Sequence, residues 1–382
     1  MDQRTQFVAD YHRGLLSVRE LGDRYGISRK TAYKWVARYD QAGRPGLSDR
    51  SRRPHGCPHE TAPAIVAAIL EARRHHPRWG AKKLLRILTR KDSRATWPAR
   101  TTVCDLLKRH GLIVKARRQP RRSHPGRPLT PMTEPNGIWT ADFKGQFKTR
   151  DGRYCYPLTL VDGFSRYLLA CQGLRSTAIT LARPIFRHAF EAYGLPRIIR
   201  SDNGVPFATT ALGRLSRLSV WWIRLGITPE LIEPAHPEQN GRHERMHRTL
   251  KAEAIRPPSA NLQAQQTRFN RFRVEYNDDR PHEALGQDTP VSIYRPSPRA
   301  LPRILPPLEY PKHFEVRRVS RNSGIRWKTH WVGVTQTLAG ESVGLEAVDD
   351  GAWDVYFGPV KLGRMDERTL RIEDYPRRAV RR

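Results

Sequence analysis

Apolar residues in the first third of the chain recur at three- and four-residue steps, the period of helices buried along one face. In residues 17–39, Ser17 is a helix N-cap with Glu20 three residues on, and Val18, Leu21 and Tyr25 form the inward stripe. Gly26 turns the chain, Ile27 fills the angle, and Ser28 caps a second helix with Ala32, Trp35 and Val36. Residues 62–76, residues 79–90 and a segment after Pro98 predict a second three-helix module, with Gly111 as its terminator.

Past residue 136 the pattern changes to β-branched and aromatic runs separated by turn signals. Strands are predicted at 138–143, 154–161 and 166–172, three in antiparallel succession, then a helix over 177–193 interrupted or kinked near Pro184. A strand at 197–201, a helix around 211–225, a strand at 227–232 and a helix from Asn240 follow, and residues 260–277 are helical. After the proline-rich stretch 296–311, short strands at 314–316, 325–334, 342–348 and 353–357, closed by strands around Val360 and Leu362, predict a small barrel.

Charge sharpens this picture. The 382 residues carry a net charge of +32, which calls for a polyanionic partner. Residues 1–130 hold 30 Lys/Arg against 10 Asp/Glu, so the basic excess is concentrated on the helical modules and the linker behind them. Arg29, Lys30, Tyr33 and Lys34 open the second helix of the first module, as a major-groove recognition helix requires, and Arg100, Thr101 and Thr102 open the last helix of the second. Arg117, Arg118, Arg121 and Arg122 lie in an extended linker suited to phosphates. No apolar run reaches the ~20 residues that cross a bilayer. The opening residues show no secretion signal, and four scattered cysteines fit a reducing cytosol. Cys57 and His59 ahead of His75 and His76 match no common zinc spacing, and no zinc is expected.

Three acids stand where such a domain would place chemistry. Asp142 lies in the first strand, Asp202 directly after a later strand, and Glu244 near the start of a helix whose Met246, Leu250 and Ala254 face the core. Glu244, His247 or Arg248, and Lys251 then share that helix's open face. Phosphodiester cleavage and transfer use two divalent cations about 4 Å apart, and magnesium prefers carboxylate oxygens. Without metal, clustered acids repel one another. Asp162, in an Asp-Gly pair, is read as a turn residue; Glu233 and Glu238 precede the helix, where positioning is poorer; His243 and His247 are read as bystanders.

The order TADFK at 140–144, SDNG at 201–204 and HPEQNGRHERMHRTLK at 236–251 resembles the DDE catalytic core of retroviral-type integrases and bacterial insertion-sequence transposases. LVDGFSRYLLA at 160–170, YNDDRPHEALG at 276–286, GLSDRSRRPH at 46–55 and PRWGAKKLLRIL at 77–88 are similar to companion segments of the bacterial members. The resemblance implies a ribonuclease H-like fold and a triad of Asp142, Asp202 and Glu244, acting as catalytic residues and as ligands of two Mg2+ ions, with Mn2+ as a substitute. The 41 residues between Asp202 and Glu244 exceed the family's common spacing, and the excess is assigned to about 213–226. Helix-turn-helix modules replace the integrases' zinc-binding N-terminal domain, which puts the chain on the bacterial side.

The expected protein is multidomain. A helix-turn-helix DNA-binding domain at 1–55 and a second helical, helix-turn-helix-like one at 56–114 lead through a basic linker at 115–131 to a ribonuclease H-like integrase core with a helical extension at 132–296. A small β-barrel at 312–375 follows. The expected function is DNA transposition. The chain would bind terminal inverted repeats, cleave DNA and join the 3′-hydroxyl ends to target DNA, with Arg248 and Lys251 as further DNA contacts. It would work as a homo-oligomer on duplex DNA, in the bacterial cytoplasm at the nucleoid and away from membranes. The alternatives are a nuclease of the same fold without strand transfer and a DNA-binding regulator with a dead core.

Overall fold

A computed structural model describes residues 3–49, 60–113, 129–233 and 236–374. The chain divides into two compact units, Met1–Ala62 and Pro63–Arg382. In the first, α1 (Gln3–His12), α2 (Val18–Tyr25) and α3 (Arg29–Ala42) enclose Phe7, Val8, Leu21, Ala32, Val36 and Leu47. The sequence pattern predicts α2 and α3 with their caps. Ser17 and Glu20 form a reciprocal capping box, Gly26 takes φ 63°, and the Ser28 hydroxyl accepts from the Thr31 N–H. The pattern misses α1, which buries only Phe7 and Val8 and so shows no repeating stripe.

The second unit begins with α4 (Pro63–His75), α5 (Ala81–Lys91) and α6 (Arg100–Arg109), packed around Ile69, Trp79, Leu84, Val103 and Leu106. Its centre is a mixed sheet of β1 (Ile138–Phe143), β2 (Phe147–Lys148), β3 (Tyr154–Asp162), β4 (Leu168–Leu174), β5 (Ile198–Ser201) and β6 (Thr228–Leu231). The main order is β4-β3-β1-β5-β6, with β2 pairing the start of β3. β4, β3 and β1 are antiparallel neighbours, whereas β5 and β6 run parallel to β1.

Because side chains alternate across a strand, each strand serves two layers. Trp139, Ala141, Leu158, Leu160 and Ile199 pack under α7 (Ile179–Tyr193) and α8 (Arg217–Arg224). On the opposite face Cys155, Val161, Leu168 and Cys171 meet Met246 and Leu250 of α9 (Gly241–Leu250) and Phe269 and Phe272 of α10 (Leu262–Val274). The expected interruption near Pro184 does not occur. α7 runs continuously through it, and the core contacts of Ala182, Phe186, Ala189 and Phe190 offset the missing N–H.

The expected closed small barrel is not found among the described residues. β7 (Glu315–Arg318), β10 (Ser342–Asp349), β11 (Ala352–Phe357), β12 (Val360–Asp366) and β13 (Arg371–Asp374) form an antiparallel sheet in the order β13-β12-β11-β10-β7. Among the described residues β8 (Gly324–Trp327) and β9 (His330–Gly333) pair only with each other, splitting the predicted 325–334 strand at Lys328, whose φ is 52°. The chain leaves the sheet after Arg318. There the Val319 N–H bonds to the Glu341 carbonyl and the Ser320 N–H to the Gly324 carbonyl, and no closing ladder is formed among the described residues.

Two attachments bind the outer parts of this unit to the central sheet. The C-terminal strands share one hydrophobic core with Leu215, Val220 and Ile223, and Arg224 pairs with Glu341 at 2.5 Å. The second helical module meets the segment after α10: His76 lies 3.3 Å from Glu275, Arg86 2.6 Å from Asp288, and Lys82 pairs with Glu283. Arg280 stands over the buried Trp79 ring while its guanidinium holds both Glu253 oxygens at 2.7 and 2.9 Å. No helix among the described residues is long and apolar enough to cross a membrane.

These pairs differ sharply in expected worth. Arg280→Met strands the half-buried Glu253 carboxylate and should cost about 2–3 kcal/mol, less than a fully buried pair would, whereas Lys82→Ala removes a pair in water and should cost less than about 1 kcal/mol. Urea unfolding followed by tryptophan fluorescence checks the ratio.

Candidate active site

Thr140, Asp142 and Thr159 occupy the sheet face that α9 covers, because they alternate with Trp139, Ala141, Leu158 and Leu160 on the other side. Asp142 pairs in register with Thr159, whose hydroxyl donates to the Asp142 carbonyl at 3.0 Å. β5 runs parallel to β1 with Ser201 opposite Ala141, so Asp202 emerges one step beyond, beside Asp142 at the same end of the sheet. Its carboxylate accepts from the Gly204 N–H at 3.1 Å.

This placement opposes ionisation. Burial, then the charge of Asp202, pushes the Asp142 carboxyl up to about 7, against the pull of the nearby Lys144 ammonium. Burial raises Asp202 as well. Ser201 Oγ and Asn203 Oδ1, on either side of Asp202 in the chain, are buried without a hydrogen-bond partner, as is Asn240 Oδ1 just before α9.

α9 is seated by two histidines. His243 bridges the strands, its Nδ1 2.7 Å from the Thr140 hydroxyl and its Nε2 2.7 Å from that of Thr159. His247, one turn on, places Nε2 2.7 Å from Thr159 and Nδ1 3.5 Å from Asp142 Oδ2. Burial pushes His243 down to about 3, and burial reinforced by His243 lowers His247, so both rings are neutral. Asp142, His243 and His247 hold ligand atoms within 4.8 Å of one another, a group that could hold a metal ion.

The histidines read as bystanders line this pocket of the sheet face, and the expected placement of His247 on the open face is corrected, because its ring is buried. The signal was their spacing of four with Met246 and Leu250, which puts both on the inward stripe. Lys144 and Thr159 also passed unnoticed. Glu244 is exposed on the neighbouring flank of α9, with Arg248 and Lys251, and its carboxylate is outside the compact Asp142 group.

Asp162 is a structural acid. It is fully buried and accepts from the Asn136 N–H at 2.7 Å and from the Ser165 N–H and hydroxyl at 2.8 and 2.6 Å, fixing the turn into β4. Among the proposed DNA contacts, Arg29, Lys30, Tyr33 and Lys34 are exposed on the first turns of α3, Arg100 and Thr101 are exposed at the start of α6, and Thr102 is half-buried. Arg117, Arg118, Arg121 and Arg122 lie outside the described residues, as does the basic segment 377–382.

Family models for an integrase core domain match residues 132–237 and 225–290. The chain carries an integrase core domain. A helix-turn-helix domain model matches residues 3–55 and a homeodomain-like one residues 31–107, ahead of the integrase core. Over 117 residues the chain is 35% identical to the Gag-Pol polyprotein of baboon endogenous virus, covering 31% of this chain and 6% of that protein. It is 26% identical to the uncharacterized 31.7 kDa protein of insertion element IS407 from Burkholderia multivorans, covering 59% of this chain and 79% of that one. It is 27% identical to the uncharacterized 39.2 kDa protein of insertion element IS476 from Xanthomonas euvesicatoria, covering 65% and 69%.

The raised Asp142 gives the integrase core a measurable pH signature. A carboxyl whose native value lies above its ordinary 3.8 holds its proton longer when folded, so metal-free stability falls as pH rises through about 4 to about 7. Asp142→Asn removes that loss. Thermal melts in EDTA should show the variant gaining more over wild type at pH 8 than at pH 5; equal gains would mean that Asp142 ionises normally.

Proposed function

We propose that the chain is a DDE transposase that cuts DNA and joins the freed 3′-hydroxyl ends to target DNA, with Asp142, Asp202 and Glu244 as catalytic and metal-binding residues. The observation that carries this reading is the juxtaposition of Asp142 and Asp202 at the same end of neighbouring parallel strands, where burial and repulsion oppose ionisation. Such a pair is best compensated by a hard divalent cation, and the unpartnered Ser201 Oγ and Asn203 Oδ1 add oxygen donors beside Asp202. Magnesium, with manganese as a substitute, would be held by the two aspartates and Glu244. When bound, a pair of such ions activates the entering oxygen and stabilises the leaving one at phosphorus.

The chain's own residues do the rest. His243 and His247 seat α9 on β1 and β3, which carries Glu244 to the edge of the face holding Asp142. Arg248 and Lys251, exposed on the same flank, hold the DNA backbone. Arg29, Lys30, Tyr33 and Lys34 read the terminal inverted repeats in the major groove, with Arg100, Thr101 and Thr102 as a second contact and Arg117, Arg118, Arg121 and Arg122 along phosphates.

Two displacements follow. Water attacks phosphorus and the bond to the 3′ oxygen breaks, leaving a 3′-hydroxyl and a 5′-phosphate. That hydroxyl then attacks a target phosphodiester, one P–O bond forming as another breaks, and no covalent enzyme intermediate arises. Joining two ends calls for a homo-oligomer on DNA, and the setting is the bacterial cytoplasm at the nucleoid.

Incubation of the full chain with its own flanking DNA ends, magnesium and a target plasmid should yield joined products. Glu244→Gln should reduce cutting and joining to background while duplex binding stays intact. Cutting without joining would make the protein a nuclease, and wild-type binding with neither would make it a regulator. Magnesium-dependent cleavage by Glu244→Gln would remove Glu244 from the site.

A further inference from the structure

On α9 the buried face is formed by His243, Met246, His247 and Leu250. At 3.6 residues per turn Glu244 lies roughly 100° to one side of His243, and Arg242 roughly 100° to the other, with Arg245 farther round. Arg242 and Arg245 are both exposed. Arg242 therefore lies across the helix from Glu244 and Lys251, with Arg245 on the outer face between Arg242 and Arg248.

Arg166 joins them from the turn before β4. It adopts φ 67°, a left-handed backbone that costs a non-glycine residue about 1 kcal/mol or more. The bond from its N–H to the Asp162 carbonyl, at 3.0 Å, holds that conformation. Its guanidinium donates to the Gly163 carbonyl at 2.8 Å, and Arg242 donates to the same oxygen at 2.9 Å. Burial pushes Arg166 down to about 10, and Arg242 and Arg245 add to that effect.

Two guanidiniums on one neutral oxygen are a poor structural solution. Each has five N–H donors in a planar fork, and a single carboxylate would take several of them and cancel the charge. Asp162, the acid of this turn, directs its oxygens to three donors from Asn136 and Ser165 and forms no ion pair with the three arginines. Among the described residues Arg166, Arg242 and Arg245 form no ion pair within 4 Å; the Asp162 charge acts on Arg166 and Arg245 acts on Glu283, but no carboxylate is seated in any of the three forks.

We propose that Arg166, Arg242 and Arg245 bind the phosphodiester backbone of duplex DNA on the flank of α9 opposite Glu244. This rests on the reading of the chain as a DNA strand-transfer enzyme. It adds a second backbone track: the segment being cut lies along the Glu244 flank, and another duplex segment is gripped across the helix by forks that match phosphate geometry. The turn at Gly163 supplies Arg166 and so links this grip to β3, which pairs with the strand of Asp142, and to β4 beyond it.

The test uses the full chain and a fluorescein-labelled duplex of its own element end, with anisotropy read across a potassium chloride series in EDTA. Arg242→Ala/Arg245→Ala should flatten the slope of log K against log salt by about 1.8, two contacts at about 0.9 each, and weaken binding about tenfold at low salt. Arg242→Lys/Arg245→Lys should recover most of the slope, as charge rather than packing is lost. An unchanged slope in a normally melting alanine variant overturns the proposal, and so does a loss that lysine fails to restore. Joining assays on the wild type separate the two readings. A wild type that joins no DNA, with the slope lost in the alanine variant, sinks the transposase reading alone; joining with an unchanged slope sinks this surface alone.

Discussion

Two carboxyl groups at the same end of neighbouring parallel strands, half-buried and facing a helix, are a repulsive arrangement that the rest of the fold must tolerate. Asp142 and Asp202 reach it through strand register alone, since Ala141 and Ser201 are paired one step earlier. The Thr140 and Thr159 hydroxyls donate to the Val161 and Asp142 carbonyls, but a purely apolar helix laid over this face would leave their lone pairs and the Asp142 carboxylate unpaired, at a cost of about 1–3 kcal/mol per polar group. α9 avoids that cost by mixing its inward stripe. Met246 and Leu250 meet the apolar part of the sheet, while neutral His243 and His247 meet the two threonine hydroxyls and approach Asp142. The helix that carries Glu244 is thus fixed by the polar groups that surround the aspartate.

The remainder of the second unit is arranged about this sheet with two kinds of glue. Apolar burial attaches the C-terminal strands, which close over Leu215, Val220 and Ile223 in the long stretch between Asp202 and Glu244. Gly213 and Gly358 allow the close approach, as a Cβ at either would stand 2.9 or 2.8 Å from Leu362 or Ile223. Charge and an aromatic ring attach the helical module, through Trp79 beneath Arg280 and the pairs around Glu275, Glu283 and Asp288. The segments 77–88 and 276–286, both singled out in the sequence by their similarity to companion segments, are two sides of one contact.

Elements with a local signature were legible. The caps Ser17, Gly26 and Ser28 act where they stand, and Asp202 follows a short apolar strand whose end the sequence marks. Asp162 was legible as a turn residue from its Asp-Gly pair, although its three donors come partly from residue 136, beyond any local pattern. What escaped depends on tertiary partners. A histidine on a helix looks polar until Thr140 and Thr159 are known to lie beneath it. Pro184 breaks a helix unless core packing holds both sides, and strands alternate in the same way whether a ladder closes or stops. α1 was invisible because two buried residues make no period.

In the proposed function, oxygen ligands of Asp142, Asp202 and Glu244 would hold the divalent cations. Anomalous scattering from crystals of the full chain grown with manganese and its DNA ends tests it directly. The account predicts density bounded by the Asp142 and Asp202 carboxylates, with Glu244 turned toward it. Manganese bound instead by His243 and His247 with Asp142, leaving Asp202 and Glu244 free, would contradict it.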